Sequence, residues 1–159
     1  MRTLATCVKR VISGGQTGVD RGALDAALVV GIEHGGWCPR GRLAEDGRIP
    51  ERYHLQETAS AEYVVRTEQN VIISEATLIL HVGTVSGGTK LTRRLSNKHQ
   101  RPCLLVELID SPDPGETRQW LEELEVEILN VAGPRESSFP GLEAEVRTFL
   151  VGVFSDPNE

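Results

Sequence analysis

Short apolar runs recur along the chain of 159 residues, and each is followed by a segment in which apolar residues return every three or four positions. The runs have the length of buried strands, and the segments between them have the spacing of amphipathic helices. The predicted strands are residues 8–13, 76–82, 103–108 and 126–131. Residues 76–82 are apolar almost throughout, which is typical of a strand covered on both faces, so we expect this strand at the centre of a parallel sheet.

The first predicted helix directly follows a glycine-rich turn. Its apolar stripe consists of Val19, Ala23, Ala26, Ala27 and Val30. Thr17 is expected to cap the amino end of this helix, with Asp20 three residues later completing a capping box. Gly31 is expected to end the helix, because glycine adopts the left-handed conformation that closes a helix.

The second predicted helix begins at Ser60. Its apolar stripe consists of Ala61, Val64, Val65, Val71 and Ile72. Arg66 and Asn70 are four residues apart and therefore share another side of the helix. We expect that side to be solvated.

Three more helices are predicted in the second half of the chain. The third carries Leu91 and Leu95 on its inner side and ends near residues 98–102. The fourth begins with Asp113 as its N-cap and Pro114 at its first position. The fifth has an apolar stripe of Leu142, Val146, Phe149, Leu150 and Val153.

The alternation of strand and helix predicts an α/β fold, with a three-layer, doubly wound, mainly parallel sheet of the Rossmann-like kind. We expect one domain over residues 1–159 with its core in residues 8–153. Residues 32–59 depart from this order, since glycine and proline leave room only for short strands near 33–36 and 53–57. A loop of this length in a compact domain is usually functional.

Composition and charge argue against several kinds of partner and against a structural metal. A formal net charge of -6 argues against a nucleic-acid partner. No apolar stretch approaches the about 20 residues that cross a bilayer, and the first residues lack an apolar signal core, so we expect a cytoplasmic protein with no membrane partner. The three cysteines, Cys7, Cys38 and Cys103, include no close pair, and we expect no structural metal.

Candidate chemistry lies in three loops that follow predicted strands, because ligands of open α/β sheets bind beyond the carboxyl ends of the strands. The first loop contains Gly14, Gly15, Gln16, Thr17 and Gly18. The second contains Ser86, Gly87, Gly88 and Thr89, with Lys90 adjacent, and the third contains Asn130, Gly133 and Arg135. We expect the backbone amides of the two glycine pairs to hold a phosphate, Lys90 and Arg135 to neutralise it, and Gln16, Thr17 and Asn130 to orient the ligand. Neither GxxxxGK[ST] nor GxGxxG is present, which argues against a simple NTPase or dehydrogenase.

Several other residues have both a structural and a functional interpretation. Asp20 can cap the first helix, orient a ligand hydroxyl, or do both. Trp37 and Arg40 belong either to a loop that plugs the end of the sheet or to a lid in which Trp37 stacks on a ring and Arg40 meets a phosphate. For Glu45 and Asp46 an ion-paired loop is favoured over a cation site.

The sequence resembles the family known as putative molybdenum carriers. The resemblance spans residues 8–151 and depends on motifs in residues 14–27, 35–42, 44–47, 66–71, 86–89 and 129–137. That family belongs to a Rossmann-like group that includes the molybdenum cofactor carriers and the Lonely Guy nucleotide hydrolases, which are also known as lysine decarboxylase-like proteins. The hydrolases use the motif Pro-Gly-Gly-x-Gly-Thr-x-x-Glu, whereas residues 86–92 here lack both the second glycine step and the acid.

The resemblance implies a pocket for a phosphorylated ligand, either the molybdenum cofactor (molybdopterin) or a nucleotide, in a protein that is commonly a homo-oligomer. The leading hypothesis is a carrier or sensor that binds without turnover. One alternative is a nucleotide-processing hydrolase with Asp20 or Glu136 as its acid or base. The other is an interaction module whose pocket is vestigial.

Overall fold

The computed structural model describes residues 4–158 and contains a five-stranded parallel sheet. The strands of this sheet are β1 (Arg10–Ile12), β2 (Glu33–Gly35), β7 (Ala76–His81), β8 (Cys103–Glu107) and β9 (Ile128–Ala132). Two small sheets lie between β2 and β7 in the chain. They are formed by β3 (Trp37–Cys38) with β6 (Gln56–Glu57) and by β4 (Leu43–Ala44) with β5 (Gly47–Arg48).

The order of strands in the main sheet is β2-β1-β9-β7-β8. β7 pairs with a strand on each side, as its apolar sequence predicted, but the middle position belongs to β9. The sequence of β9 is less uniformly apolar because Asn130, buried at 3% exposure, donates a hydrogen bond from Nδ2 to Thr77 Oγ1 at 3.2 Å. A paired amide is tolerated in the centre of a sheet, since its polar atoms keep partners.

Five helices cover the sheet. They are α1 (Val19–Val30), α2 (Tyr63–Ile73), α3 (Gly87–Lys98), α4 (Pro114–Glu123) and α5 (Leu142–Phe154). α5 packs against both α1 and α4, while α2 packs against α3 on the other side of the sheet. This three-layer arrangement confirms the predicted doubly wound α/β fold. Of the helices in residues 4–158, none is long and apolar enough to cross a membrane.

The helix ends follow the predictions except at the amino ends of α1 and α2. The prediction that α2 begins at Ser60 is wrong, because the helix begins at Tyr63 with Glu62 as its N-cap. Gly31 closes α1 with a φ of 82°, and the Asp113 carboxylate accepts the amide of Gly115 at 2.9 Å at the start of α4. The prediction that Thr17 caps α1 is wrong, because Gly18 occupies the cap position and makes no side-chain cap hydrogen bond. The Thr17 hydroxyl instead donates to the Glu45 carboxylate.

The inner face of α2 is only partly the predicted apolar stripe: Val71 is buried as expected, but two polar residues are buried beside it. Arg66 and Asn70 are buried, whereas Val64 and Ile72 are 42% and 37% exposed. The reason is that α2 packs on backbone rather than on side chains: Arg66 Nη1 donates to the carbonyl of Gly14 at 2.8 Å. Asn70 uses both ends of its amide on the backbone of one residue, Trp37, at 2.7 and 3.0 Å.

Residues 36–60 form an ordered excursion with a small apolar core of its own. The core consists of Leu24 from α1 together with Cys38, Ala44, Ile49, Tyr53 and Leu55. The buried guanidinium of Arg42 holds the excursion together by donating to the carbonyls of Ile49, Pro50 and Tyr53 at 2.8–3.1 Å. Burial also raises the pKa of the Cys38 thiol, which fits a passive buried cysteine.

Candidate functional site

A cleft of about 820 Å³ opens at the carboxyl ends of β1, β7 and β9. Each of the three loops singled out in the sequence contributes to its lining. The first supplies Gly14, Gln16 and Asp20, the second Ser86, Gly87, Gly88 and Thr89, and the third Asn130, Gly133 and Arg135. α2 adds Tyr63, Arg66 and Asn70, so polar groups from four parts of the chain meet in one concave site.

Several backbone amides in and beside the first loop are bonded within the protein. The amide of Gln16 donates to Asp20 Oδ2 at 3.1 Å, and the amide of Thr17 donates to Gln16 Oε1 at 3.1 Å. The amide of Val19 donates to the carbonyl of Pro134 at 3.2 Å. The amide of Gly15 donates to Ser13 Oγ at 3.4 Å. That the amides of this glycine pair hold a phosphate stays a prediction, while the amides of Gln16, Thr17 and Val19 are already satisfied by the protein itself.

Side chains of the first loop face the cleft. Gln16 is 4% exposed, and its Oε1 accepts the amide of Glu45 at 2.8 Å in addition to that of Thr17. Its Nε2 is buried and has no hydrogen-bond partner within residues 4–158. A buried donor without a partner costs free energy, so this atom is a natural point of contact for a ligand.

Asp20 and Arg66 form a buried charged pair beside Gln16. Arg66 Nη1 lies 3.7 Å from Asp20 Oδ2, and both side chains line the cleft. Burial raises the pKa of the Asp20 carboxyl, while the charge of Arg66 and the amide of Gln16 act in the opposite direction. The pair thus places one acid and one guanidinium within reach of a ligand, in a setting that favours strong electrostatic contacts.

The second loop opens α3 and leaves its first turn free. Lys90 is the first residue of this helix whose amide bonds back, to the carbonyl of Ser86 at 3.3 Å. The amides of Gly87, Gly88 and Thr89 have no acceptor in the part of the chain that the structure describes, and the side chain of Ser86 does not cap them. Free first-turn amides at the positive end of a helix attract anions.

Two guanidiniums share one aromatic ring at the mouth of the cleft. The Cζ atoms of Arg66 and Arg135 each lie 5.1 Å from the centre of the Tyr63 ring, within the range of a cation–π contact. Arg135 is exposed, so its remaining donors are accessible to a ligand. Sequence reasoning missed Tyr63, although an aromatic residue beginning a helix was notable in a chain with only seven aromatic residues.

Several predicted residues lie away from the lining of the cleft. Lys90 is exposed and does not line it. Trp37 and Arg40 lie on the excursion, where Trp37 is held by Asn70 and Arg40 is exposed. The two carboxylate oxygens of Glu136 accept the amides of Gly141 at 2.6 Å and Glu143 at 2.8 Å, which weakens its candidacy as an acid or base.

Thr17, Gly15 and Gly18 lie behind the lining and join the first loop to its neighbours. The carboxylate of Glu45 accepts the Thr17 hydroxyl on one side and the amide and hydroxyl of Ser137 on the other, at 3.1 and 2.6 Å. These hydrogen bonds lower the pKa of the Glu45 carboxyl. Asp46 pairs with the buried Arg21 at 2.5 and 2.8 Å, as expected of an ion-paired loop. The tip of the excursion therefore fastens the first loop to the third.

The fold and the cleft define a Rossmann-like α/β protein with a polar cleft at the carboxyl edge of its sheet. The model of the circularly permutated YpsA SLOG family matches residues 11–154, and the chain belongs to that family. It is also similar to the solved structure of the putative molybdenum carrier protein from Syntrophus aciditrophicus SB, at 39% identity and a TM-score of 0.87. The match covers 93% of this chain and 96% of that one, which confirms the resemblance found in the sequence. No curated protein matches.

Proposed function

We propose that this protein is a carrier that binds a phosphate-bearing ligand, a pterin cofactor or a nucleotide, in the cleft and releases it unchanged. The observation that carries the proposal is the set of donors without acceptors in one cleft: the first-turn amides of α3, the Nε2 atom of Gln16 and the guanidinium of Arg135. Donors gathered at one site suit an oxyanion, since hydrogen bonds to a charged acceptor are among the stronger ones.

The remaining lining suits the ring system of such a ligand. Apolar side chains beside the donors belong to Val85, Leu91 and Phe139, and the ring of Tyr63 adds an aromatic surface. A flat heterocycle gains by contact with such groups, while its phosphate stays at the first turn of α3. The name of the Syntrophus protein is consistent with a ligand of this class.

A molybdenum cofactor would be held in this cleft through its phosphate and pterin, with Arg135 and the α3 amides on the phosphate. Within residues 4–158 no three His, Cys, Asp or Glu side chains lie close enough together to hold a metal ion. A pterin cofactor brings its own sulfur ligands for the metal, so the donor-rich lining fits this group without a metal site of the protein's own.

A nucleotide hydrolase is the second candidate, and Asp20 favours it. Burial raises the pKa of this carboxyl, and its position in the cleft beside Arg66 is typical of a tuned acid or base. The carrier is preferred because residues 86–92 lack the glutamate of the hydrolase motif.

The deciding experiment is mass spectrometry of small molecules released from freshly purified protein, together with molybdenum analysis. We expect a pterin or a nucleotide from the wild-type protein and about tenfold less from Arg135→Gln, which loses a charge-assisted contact. Arg147→Gln is the matched control, because Arg147 is exposed on α5 outside the lining. Recovery of no ligand, or equal recovery from both variants, would contradict the proposal.

Turnover separates the two candidates. The purified protein is incubated with adenosine monophosphate, and free adenine is measured by chromatography. The carrier releases none, whereas a hydrolase releases adenine and loses that activity in Asp20→Asn. Sustained release by the wild-type protein would replace the carrier with the hydrolase.

A further inference from the structure

The side-chain amide of Gln16 is fixed by a part of the chain remote in sequence. Its Oε1 accepts two backbone amides, that of Thr17 at 3.1 Å and that of Glu45 at 2.8 Å. Glu45 lies in the turn between β4 and β5, so this hairpin reaches back to the first loop. A carbonyl oxygen has two lone pairs, and both donors are accounted for by this one atom.

The opposite orientation of the amide is disfavoured. Rotating the end of Gln16 by half a turn would set its NH2 group against the two backbone N–H donors. Four donors would then meet without an acceptor in a buried place, where each unsatisfied group costs free energy. The hairpin therefore determines which end of Gln16 remains for a ligand.

We propose that Gln16 determines the specificity of the site: the β4–β5 hairpin locks its amide so that Nε2 is left for the ligand, and the ligand atom that meets it is a hydrogen-bond acceptor. Nε2 is buried and without a partner in residues 4–158, while Gln16 lines the cleft. An oxygen of the ligand's phosphate, or of a sulfate in its place, satisfies this donor. A ligand N–H or O–H pointing at the same place is rejected, because two donors would be buried against each other.

The inference rests on the proposed function and adds to it the identity of the discriminating atom. It also assigns residues 36–60 a role, which is to orient the side chain of Gln16. The hairpin does not enter the cleft; it acts on the ligand through the orientation of one side chain. Glu45 is therefore a positioning residue, through its backbone amide.

The test replaces Nε2 by a group whose donor character depends on pH. In Gln16→Glu one oxygen can keep the contacts to Thr17 and Glu45, and the other occupies the place of Nε2. A protonated carboxyl donates a hydrogen bond and an ionised one does not. Burial and the charge of Asp20 raise the pKa of the introduced carboxyl from its usual value of about 4.3, while Arg66 and the amides of Thr17 and Glu45 lower it. Its pKa in the variant is therefore located first, by following the 13C signal of the introduced carboxyl with pH.

Sulfate is the probe, because it is a tetrahedral oxyanion whose charge stays constant over the range used. Its affinity is measured by titration of the amide signals of Thr89 and Asn130 in 15N-labelled protein. At low pH we expect the variant to bind sulfate about as well as the wild type. As the introduced carboxyl ionises, we expect its affinity to fall on the order of tenfold to a hundredfold below that of the wild type at the same pH.

The ratio of the two affinities at each pH isolates the introduced group, since Asp20, Glu45 and Arg66 are present in both proteins. Gln69→Glu is the matched control, because it adds the same charge at an exposed position of α2 outside the cleft lining. Its ratio to the wild type should stay constant with pH. Equal affinities of wild type and Gln16→Glu throughout, or a loss that does not recover at low pH, would overturn the inference while leaving the proposed function standing.

A second measurement needs no ligand and no variant. In the ligand-free wild-type protein, through-hydrogen-bond couplings should connect the amide nitrogens of Thr17 and Glu45 with Cδ of Gln16. If these couplings are absent, the amide is not locked and the inference fails. If they are present but wild-type protein binds neither sulfate nor adenosine monophosphate, the lock stands and it is the proposed function that fails.

Discussion

The two glycine pairs of this protein look alike in sequence and differ in structure. Gly14 and Gly15 sit in a loop whose neighbouring amides are bonded within the protein, whereas Gly87 and Gly88 begin a helix whose first turn is free. Both loops follow strands of the same sheet and line the same cleft. A glycine pair between strand and helix therefore indicates a close approach of backbone without indicating what approaches it.

The space around each glycine shows the difference. A Cβ atom on Gly14 would lie 2.1 Å from Nη1 of Arg66, and one on Gly18 would lie 2.5 Å from the carbonyl oxygen of Pro134. A Cβ atom on Gly87 or Gly88 would meet nothing within 4 Å. The first loop is a joint packed by the protein itself, whereas the glycines of the second loop have open space around them in residues 4–158.

The largest effect is expected from alanine at Gly18. Its φ of 80° is unfavourable for alanine, and the new methyl group would press on backbone that cannot yield. We expect Gly18→Ala to lower the free energy of unfolding by about 3 kcal/mol or more, as measured by urea denaturation. Gly88→Ala is the counterpart in the second loop, and its effect should stay within about 1 kcal/mol.

Similar losses of unfolding free energy in both variants would contradict the distinction between a packed first loop and an open second loop. A small effect at Gly18 would show that the backbone around Pro134 can move, and the first loop would then also be free to adapt to a ligand.

The second-largest effect is expected from Arg66→Met, which tests what holds the first loop closed. The substitution leaves the Asp20 carboxylate buried without its countercharge and the carbonyl of Gly14 without its donor. Loss of one partner of a buried pair costs about 3 kcal/mol. Unfolding followed at several pH values should show this loss at neutral pH and a smaller one in acid.

The direction of this pH dependence follows from Asp20. Burial raises its folded-state pKa above the unfolded value, so the folded protein binds the proton more tightly and stability falls as pH rises between the two values. Without Arg66 the folded-state pKa rises further, and the fall extends to higher pH. Adding Asp20→Asn to Arg66→Met should remove the added pH dependence; if the slope persists, another group is responsible.

Much of the fold could be predicted from the sequence because the buried pattern is local. The strands β7 and β8, the cap at Asp113 and the apolar stripe of α5 all depend on nearby residues whose spacing reports their environment. Convergence of three loops on one edge follows equally from parallel topology, because every strand of a parallel sheet ends on the same side.

The predictions that failed concern residues whose environment depends on partners far away in the sequence. Nothing in the spacing of α2 indicates that Arg66 and Asn70 meet the backbone of Gly14 and Trp37, so its polar side was interpreted as solvated. Lys90 was placed in the site by its closeness in sequence to the second loop. In α3 the buried face is formed by Thr89, Thr92, Leu95 and Ser96. A lysine one residue after Thr89 is turned about 100° away from Thr89.

The smallest effect is expected at Glu45, where the joint between the first and third loops reaches the surface. Hydrogen bonds from Ser137 and Thr17 lower the pKa of this carboxyl, so its contribution to stability is present above the unfolded pKa and is lost as pH falls through the folded one. Because the side chain is exposed, we expect Glu45→Gln to cost less than about 1 kcal/mol at neutral pH and almost nothing in acid. Glu145→Gln, on the exposed side of α5, serves as the control for removing a surface charge.

Glu45→Gln also distinguishes the role of the Glu45 carboxylate from that of its backbone amide. The lock on Gln16 uses the amide of Glu45, which the substitution keeps, so sulfate affinity should change far less in Glu45→Gln than in Gln16→Glu at neutral pH. A comparable loss of affinity in both would mean that the carboxylate, through Thr17 and Ser137, holds the first loop in its binding shape. The hydrogen bonds that join the first and third loops would then also determine ligand affinity. The two glycine-containing loops would differ only in how much each contributes to binding.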